Sequence, residues 1–291
     1  MKKVFCFFAA VLVAAGAPCT ALAARRESTT YAFVGNTEIY TTYVDRTKGN
    51  ITTVCPDYFE IDSAGNLKLT NKVSHTFVEN MRARGVRVTP FLSNHWDMAN
   101  ARAGLNNRAT LAGQLAAAVR NYRFDGVDVD IENINQNDRA AFTDFIRLLR
   151  AELGPDKTIS VCVAANPWGV EIGWQGAYDY RALSPYIDHI FIMAYDEHYS
   201  GGSAGPVASY GFARKSVEFA LKTLPPEKVM LGIPFYGRYW KDWNPKGGAA
   251  LTVADIEGLA SRSECNSWYD ETNECARAIL NITEADVAAG L

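Results

Sequence analysis

The chain has 291 residues, of which 48% are hydrophobic and 21% charged, and a formal net charge of -3 at pH 7. That composition excludes a disordered chain and leaves room for one large α/β domain or two average ones. The weakly acidic balance offers no basic face for nucleic acid or an anionic membrane.

In chain order, residues 1–24 read as an export leader rather than as part of the fold. Lys2 and Lys3 give a basic start, an apolar stretch of about 14 residues follows, and Ala21-Leu22-Ala23 supplies small residues for cleavage. The apolar run is shorter than the ~20 residues that a membrane span needs. Export, cleavage near Ala23 or Ala24, and no membrane attachment afterwards are therefore expected.

From there, short apolar runs alternate with helical patterns. The runs are residues 30–36, 51–61, 86–94, 124–132, 158–166, 187–198 and 228–240. Between them, residues 141–154 carry Phe142, Phe145, Ile146, Leu149 and Leu153 at three- and four-residue steps, stopped by Gly154-Pro155. Residues 111–122 and 211–226 behave similarly. Strand, helix, strand at this period predicts parallel strands with crossover helices.

A doubly wound open sheet and an eight-stranded barrel both fit that pattern. No glycine-rich dinucleotide fingerprint follows the first strand. Polar and aromatic residues instead gather at successive strand ends: Asn94-His95-Trp96, Asp130 with Glu132, Asn166 with Trp168, Tyr195-Asp196-Glu197-His198, and Tyr236, Arg238 and Trp240. A barrel keeps its active site there. The expected fold is an α/β protein of the (β/α)8 TIM-barrel type, with seven strands countable and no convincing eighth.

The run FDGVDVDIEN raises the chemical question. In a strand, Asp128, Asp130 and Glu132 share one face while Val127, Val129 and Ile131 share the other. Asp125 has the opposite parity and is expected to act structurally with Gly126 at the strand entrance. Three like charges at this spacing cannot all ionise cheaply, so a shared proton and a protonated Glu132 near the mouth are expected. Such a carboxyl is a general acid, suited to protonating a leaving oxygen in glycoside cleavage. A solvent-exposed acidic strand fits the apolar neighbours poorly. A divalent metal would meet a linear array rather than a cage. Neither a metal nor a cofactor is expected.

With these residues in view, the sequence resembles glycoside hydrolase family 18. The family motif Asp-x-x-Asp-x-Asp-x-Glu is met by Asp125, Asp128, Asp130 and Glu132. Met-x-Tyr-Asp is met by Met193, Tyr195 and Asp196, and GIPFYGRYW matches the end of the seventh strand. The likeness runs from about Tyr31 to Trp240, and within the family it is most similar to bacterial spore-cortex and cell-wall N-acetylglucosaminidases.

The resemblance implies a secreted, monomeric glycosidase acting on N-acetylated polysaccharide, either peptidoglycan or chitin oligomers. Glu132 would be the acid, and the substrate's own acetamide the nucleophile. Asp130 would orient that acetamide, Asp128 would share a proton behind it, and Tyr195 would hold the acetamide oxygen. Asp196, Asn94, Trp96, Tyr236 and Trp240 would contact sugars. An ordinary two-carboxylate mechanism, with Asp196 or Glu197 as protein nucleophile, ranks below this. A non-catalytic glycan-binding protein on the same scaffold is the alternative from another class.

Six cysteines are present, two of them inside the leader. Cys55 and Cys162 lie in strand-like runs and read as buried thiols. Cys265 and Cys275 flank a polar loop and could form a local disulfide in an oxidising compartment. Residues 241–291 resemble part of the insertion that the family places before its eighth strand, so the sequence reads as a fragment or a shortened form with an exposed sheet edge. Poor solubility or weak activity is the expected consequence.

Overall fold

A computed structural model describes residues 27–33, 37–242, 244–262 and 265–281. The expected leader at 1–24 lies outside them. The elements in chain order are β1 (Thr29–Ala32), α1 (Thr37–Arg46), β2 (Thr53–Ile61), β3 (Leu67–Leu69), α2 (His75–Ala83), β4 (Arg87–Val88), β5 (Phe91–Ser93), α3 (Met98–Asn106) and α4 (Arg108–Asn121). They continue with β6 (Gly126–Asp130), α5 (Arg139–Leu153), β7 (Thr158–Ala164), α6 (Tyr180–Leu183), β8 (His189–Met193), α7 (Tyr210–Ala220) and β9 (Val229–Leu231). Beyond these lie β10 (Tyr236–Lys241), β11 (Asn244–Thr252), α8 (Val253–Ala260), β12 (Cys265–Asp270) and β13 (Cys275–Leu280).

Seven parallel strands run in the order β1-β2-β5-β6-β7-β8-β9, with β3 and β4 also pairing with β2. The sheet curls. Tyr31 on β1 stacks edge-on against Phe191 on β8 at 5.0 Å, and its hydroxyl donates to Asp128 on β6. Strands distant along the sheet thus share one interior, as in a TIM barrel that is incomplete. Among the described residues, β9 pairs only with β8 and β1 only with β2. Beside the open β9 edge, Leu231, Ile233 and Phe235 are exposed.

Parity explains the layering. Val127, Val129 and Ile131 are fully buried on the outer face of β6, within the same apolar cluster as Phe142, Phe145, Ile146 and Leu149 of α5. Helix starts follow the usual capping chemistry. The Ser74, Asp97 and Ser209 side chains accept from the first-turn amides of α2, α3 and α7, offsetting their unpaired donors. After α5, Gly154 takes φ 76°, a left-handed conformation that suits glycine.

Two predicted runs are interrupted. Residues 86–94 split into β4 and β5 around Thr89-Pro90, since proline has no amide to give a ladder. The run 228–240 stops as a barrel strand at Leu231, and Tyr236–Lys241 forms a separate antiparallel pair with β11. The cluster of Tyr236, Arg238 and Trp240 therefore arrives on a hairpin, not on a barrel strand.

The expected Cys265–Cys275 bridge is absent. Residues 265–280 form a hairpin in which Cys265 pairs with Leu280 and Cys275 with Asp270. Five residues of strand separate the two thiols, roughly 17 Å at about 3.4 Å per residue. A disulfide needs Cα atoms closer than about 7 Å. Both thiols are free.

At the entrance to β6, Gly126 and Asp125 have separate structural tasks. The Asp125 carboxylate accepts from the Val88 amide at 2.8 Å, tying β4 to β6. A Cβ on Gly126 would lie 2.0 Å from the Thr158 carbonyl oxygen on β7, a backbone atom that cannot give way. Gly126→Ala is therefore expected to destabilise the fold by about 3 kcal/mol or more, lowering Tm by roughly 6–12 °C in a thermal melt. An unchanged Tm would mean that β6 and β7 are not packed this closely.

Candidate active site

The acidic face of β6 points into the curled sheet. Asp128, at the bottom, is buried and takes three side-chain donors. Tyr31 from β1 donates to Oδ2 at 3.0 Å, Cys162 from β7 donates to the same oxygen at 3.3 Å, and Ser160 from β7 donates to Oδ1. Burial pushes the Asp128 carboxyl above its ordinary range, and these hydrogen bonds, which favour the ionised form, hold the rise back.

Asp130 is less well served. Its Oδ1 is buried without a hydrogen-bond partner. Burial first, then the charges of Glu132 and Asp128, raise its carboxyl well above the normal range. Of the stack, it has the strongest physical reason to hold a proton.

Glu132 follows the strand, and its backbone is clamped. Asn94, at the end of β5, accepts from the Glu132 amide at 2.8 Å and donates to the Glu132 carbonyl at 3.0 Å. The remaining Asn94 donor bonds the Asp97 carbonyl at 2.9 Å. Asn94 was expected to contact sugar; its buried amide is instead committed to holding Glu132. Burial, then the nearby charge of Asp196, pushes the Glu132 carboxyl up to about 7.

Tyr195 comes from the segment after β8, on the same parity as Phe191 and Met193. Its hydroxyl is held neutral by burial first, then by the fields of Cys162, Asp130 and Glu132, which places it among the acidic residues. Behind it, a Cβ on Gly232 would approach the Tyr195 ring at 2.9 Å and the Ile192 carbonyl at 2.8 Å. That glycine gives the ring its room.

Asp196 takes φ 54° and receives both ends of a guanidinium. Arg238 on β10 donates from Nε to Oδ1 and from Nη2 to Oδ2, each at 2.8 Å, and Tyr236 adds its hydroxyl at 2.7 Å. The Glu197 carboxylate turns away, accepting from the Ser209 amide at the start of α7. Asp196 is thus forked to arginine, and Glu197 is bonded to the Ser209 amide.

The aromatic residues divide. Trp96 is 52% exposed at the mouth and stands edge-on to Trp174 at 5.1 Å. The Trp174 indole donates to the Tyr178 hydroxyl, which donates to the Ile131 carbonyl beside Glu132. Tyr236 stands edge-on to Tyr195 at 6.2 Å. Trp240 donates its indole N–H to the Gly202 carbonyl, joining the hairpin to the loop after β8.

Of the expected site residues, Asp128, Asp130, Glu132, Tyr195, Asp196 and Tyr236 converge. The sequence reading missed Tyr31, Ser160 and Cys162 as partners of Asp128, and Arg238 as partner of Asp196. Strand parity could have placed Ser160 and Cys162 on the inner face; nothing local marks Tyr31. His95, Trp96, Asn133 and Asp196 all have positive φ at the mouth. Strain of this kind gathers where geometry serves a site.

The buried acid predicts a pH signature. The folded carboxyl of Glu132 titrates near 7, against 4.5 for an unperturbed glutamate. Between these values the folded chain holds a proton that the unfolded chain has released, so stability falls as pH rises through the window. The cost is at most about 3 kcal/mol. Glu132→Gln removes it. The variant's Tm should match the parent's below pH 4.5 and exceed it above pH 7; a gap that ignores pH would mean that Glu132 is solvated.

The sequence pattern described as "Glycosyl hydrolases family 18" matches residues 29–284. The chain is 33% identical over 150 residues to the "Uncharacterized glycosylase YvbX" of Bacillus subtilis, an overlap covering 51% of this chain and 43% of that protein. It is 29% identical over 167 residues to the "Cortical fragment-lytic enzyme" of the same species, covering 56% and 39%. The matched regions span less than half the length of these relatives. Among solved structures, the chitinase from Chromobacterium violaceum superposes with a TM-score of 0.76 at 26% identity, covering 86% of this chain and 81% of that one. The putative sporulation-specific glycosylase ydhD from Bacillus subtilis gives 0.70 at 26% identity, covering 76% and 75%.

Proposed function

The chain belongs to the glycosyl hydrolases of family 18, and on that premise we propose that it hydrolyses β-linked glycans containing N-acetylglucosamine by substrate-assisted, retaining catalysis. Glu132 protonates the glycosidic oxygen. The acetamido oxygen of the same sugar attacks the anomeric carbon, so the protein supplies no nucleophile. Asp130 orients the acetamide and stabilises the positive oxazolinium, with Asp128 sharing a proton behind it. Tyr195 hydrogen-bonds the acetamide oxygen and keeps it in attack geometry, a pre-positioning worth ~7 kcal/mol or more. Glu132, now ionised, takes a proton from water, and the anomeric configuration is retained.

What supports this reading above all is Glu132 itself. Its carboxyl, pushed up to about 7, is poised to give a proton and take one back near neutral pH. Trp96 is the aromatic face best placed to stack on sugar, since it is exposed at the mouth. Asp196, Tyr236 and Trp240 line or brace the same side through the hairpin. Peptidoglycan is the favoured substrate, on the likeness to a protein named for cortical fragment lysis; chitin oligomers supply the same acetamide. Residues 1–24 serve as a cleaved leader that delivers the barrel, residues 25–291, outside the cytoplasm as a monomer. Residues 241–291 belong to the family's insertion before the eighth strand.

Glu132→Gln should lower kcat by about 10²–10⁴-fold while leaving binding of N-acetylated oligosaccharides intact, as followed by mass spectrometry of products and by calorimetry. De-N-acetylated oligosaccharides should not be cleaved. Equal cleavage of both would remove the acetamide from the mechanism. Full activity in the glutamine variant would remove Glu132 as the acid. Binding without hydrolysis in the parent chain would leave a glycan-binding protein.

A further inference from the structure

Cys162 stands on β7, and Val129 pairs with Val161, so Cys162 lies one step further up, at the level of Asp130. Its thiol nevertheless reaches down to Oδ2 of Asp128 at 3.3 Å and touches the Tyr31 hydroxyl at 3.1 Å. By register the thiol stands beside Asp130 on the neighbouring strand, where it opposes the rise in that carboxyl's pKa. Tyr31 and Ser160 each carry one proton and spend it on Asp128. Asp130, with Oδ1 unpartnered, lacks comparable donors.

We propose that Cys162 is a positioning residue of this site: its single S–H is shared between Asp128 and Asp130 and supports whichever of the two is ionised. A thiol suits that task for a physical reason. Its S–H is a weak donor with a long bond to carbon, so it can turn between two acceptors at little cost, where a hydroxyl would favour one. The groups acting on it or feeling it are Tyr31 from β1, Asp128 and Asp130 from β6, Tyr178 before α6 and Tyr195 after β8, with Cys55 beside Tyr31, Ser160 bonded to Asp128 and Glu132 acting on Tyr178 and Tyr195. In this buried setting the aspartates and the Tyr31 hydroxyl, and not the solvent, determine where the S–H points.

The direction of each effect follows. Removing a donor from an ionised carboxylate raises its pKa; a stronger donor lowers it. In the full chain labelled with ¹³Cγ-aspartate, the Asp128 and Asp130 carboxyl signals, assigned with single Asp→Asn variants, should titrate about 0.5–1 pH unit higher in Cys162→Ala. In Cys162→Ser they should move the other way. For its kinetic readout the proposal rests on the glycosidase reading: the acidic limb of the kcat profile on N-acetylated oligosaccharide should shift in the same two directions, with KM unchanged.

Carboxyl titrations that superimpose on the parent in both variants, or move alike in both, would overturn the assignment and leave Cys162 as packing. Thermal melts show whether each variant folds, and the serine variant alone decides if the alanine variant does not. A parent chain that cleaves nothing would end the glycosidase reading, while the carboxyl titration would still test the thiol.

Discussion

Everything in this molecule is arranged around one electrostatic difficulty: three carboxylates stacked on the inner face of a single strand, taken out of water. Like charges at two-residue spacing in a low-dielectric interior raise one another's proton affinity, and burial raises it further. The surroundings answer each member differently. Asp128 is hydrogen-bonded by Tyr31, Ser160 and Cys162; Asp130 has an oxygen with no partner; Glu132 sits at the rim, gripped through its backbone by Asn94. The result is an uneven proton affinity along the stack, greatest at Asp130, where burial acts together with the charges of both neighbours.

That unevenness depends on the barrel's geometry. The donors to Asp128 come from β7, which pairs directly with β6, and from β1, the first strand of the sheet and three strands away; only curling brings β1 inward. The outer valines of β6 are buried in the apolar cluster beneath the helices, which keeps the inner carboxylates turned to the interior. Packing on one face thus enforces the electrostatic cost on the other.

Much of this was legible in the sequence. Alternation along FDGVDVDIEN placed valines outward and acids inward, and the 30- to 40-residue period gave seven parallel strands. What was not legible had physical causes. Pro90 and the irregular stretch at 232–235 broke runs that hydropathy joined, because apolar content does not record where a ladder loses its partner. The Cys265–Cys275 pairing failed because proximity in sequence says nothing about register within a hairpin. Asn94 looked like a ligand at a strand end, and only the coordinates show its amide filled by backbone. Tyr31, Ser160 and Cys162 meet Asp128 across 97, 32 and 34 residues; parity alone turns Ser160 and Cys162 inward, and no local pattern marks Tyr31.

The fork between Arg238 and Asp196 couples two parts of the chain that are otherwise separate. Asp196 is one of the two causes that lift Glu132, and the cation opposite it is carried by a hairpin outside the parallel sheet. The negative field at Glu132 is thereby set partly from outside the parallel sheet, by a guanidinium forked to the carboxylate that causes it.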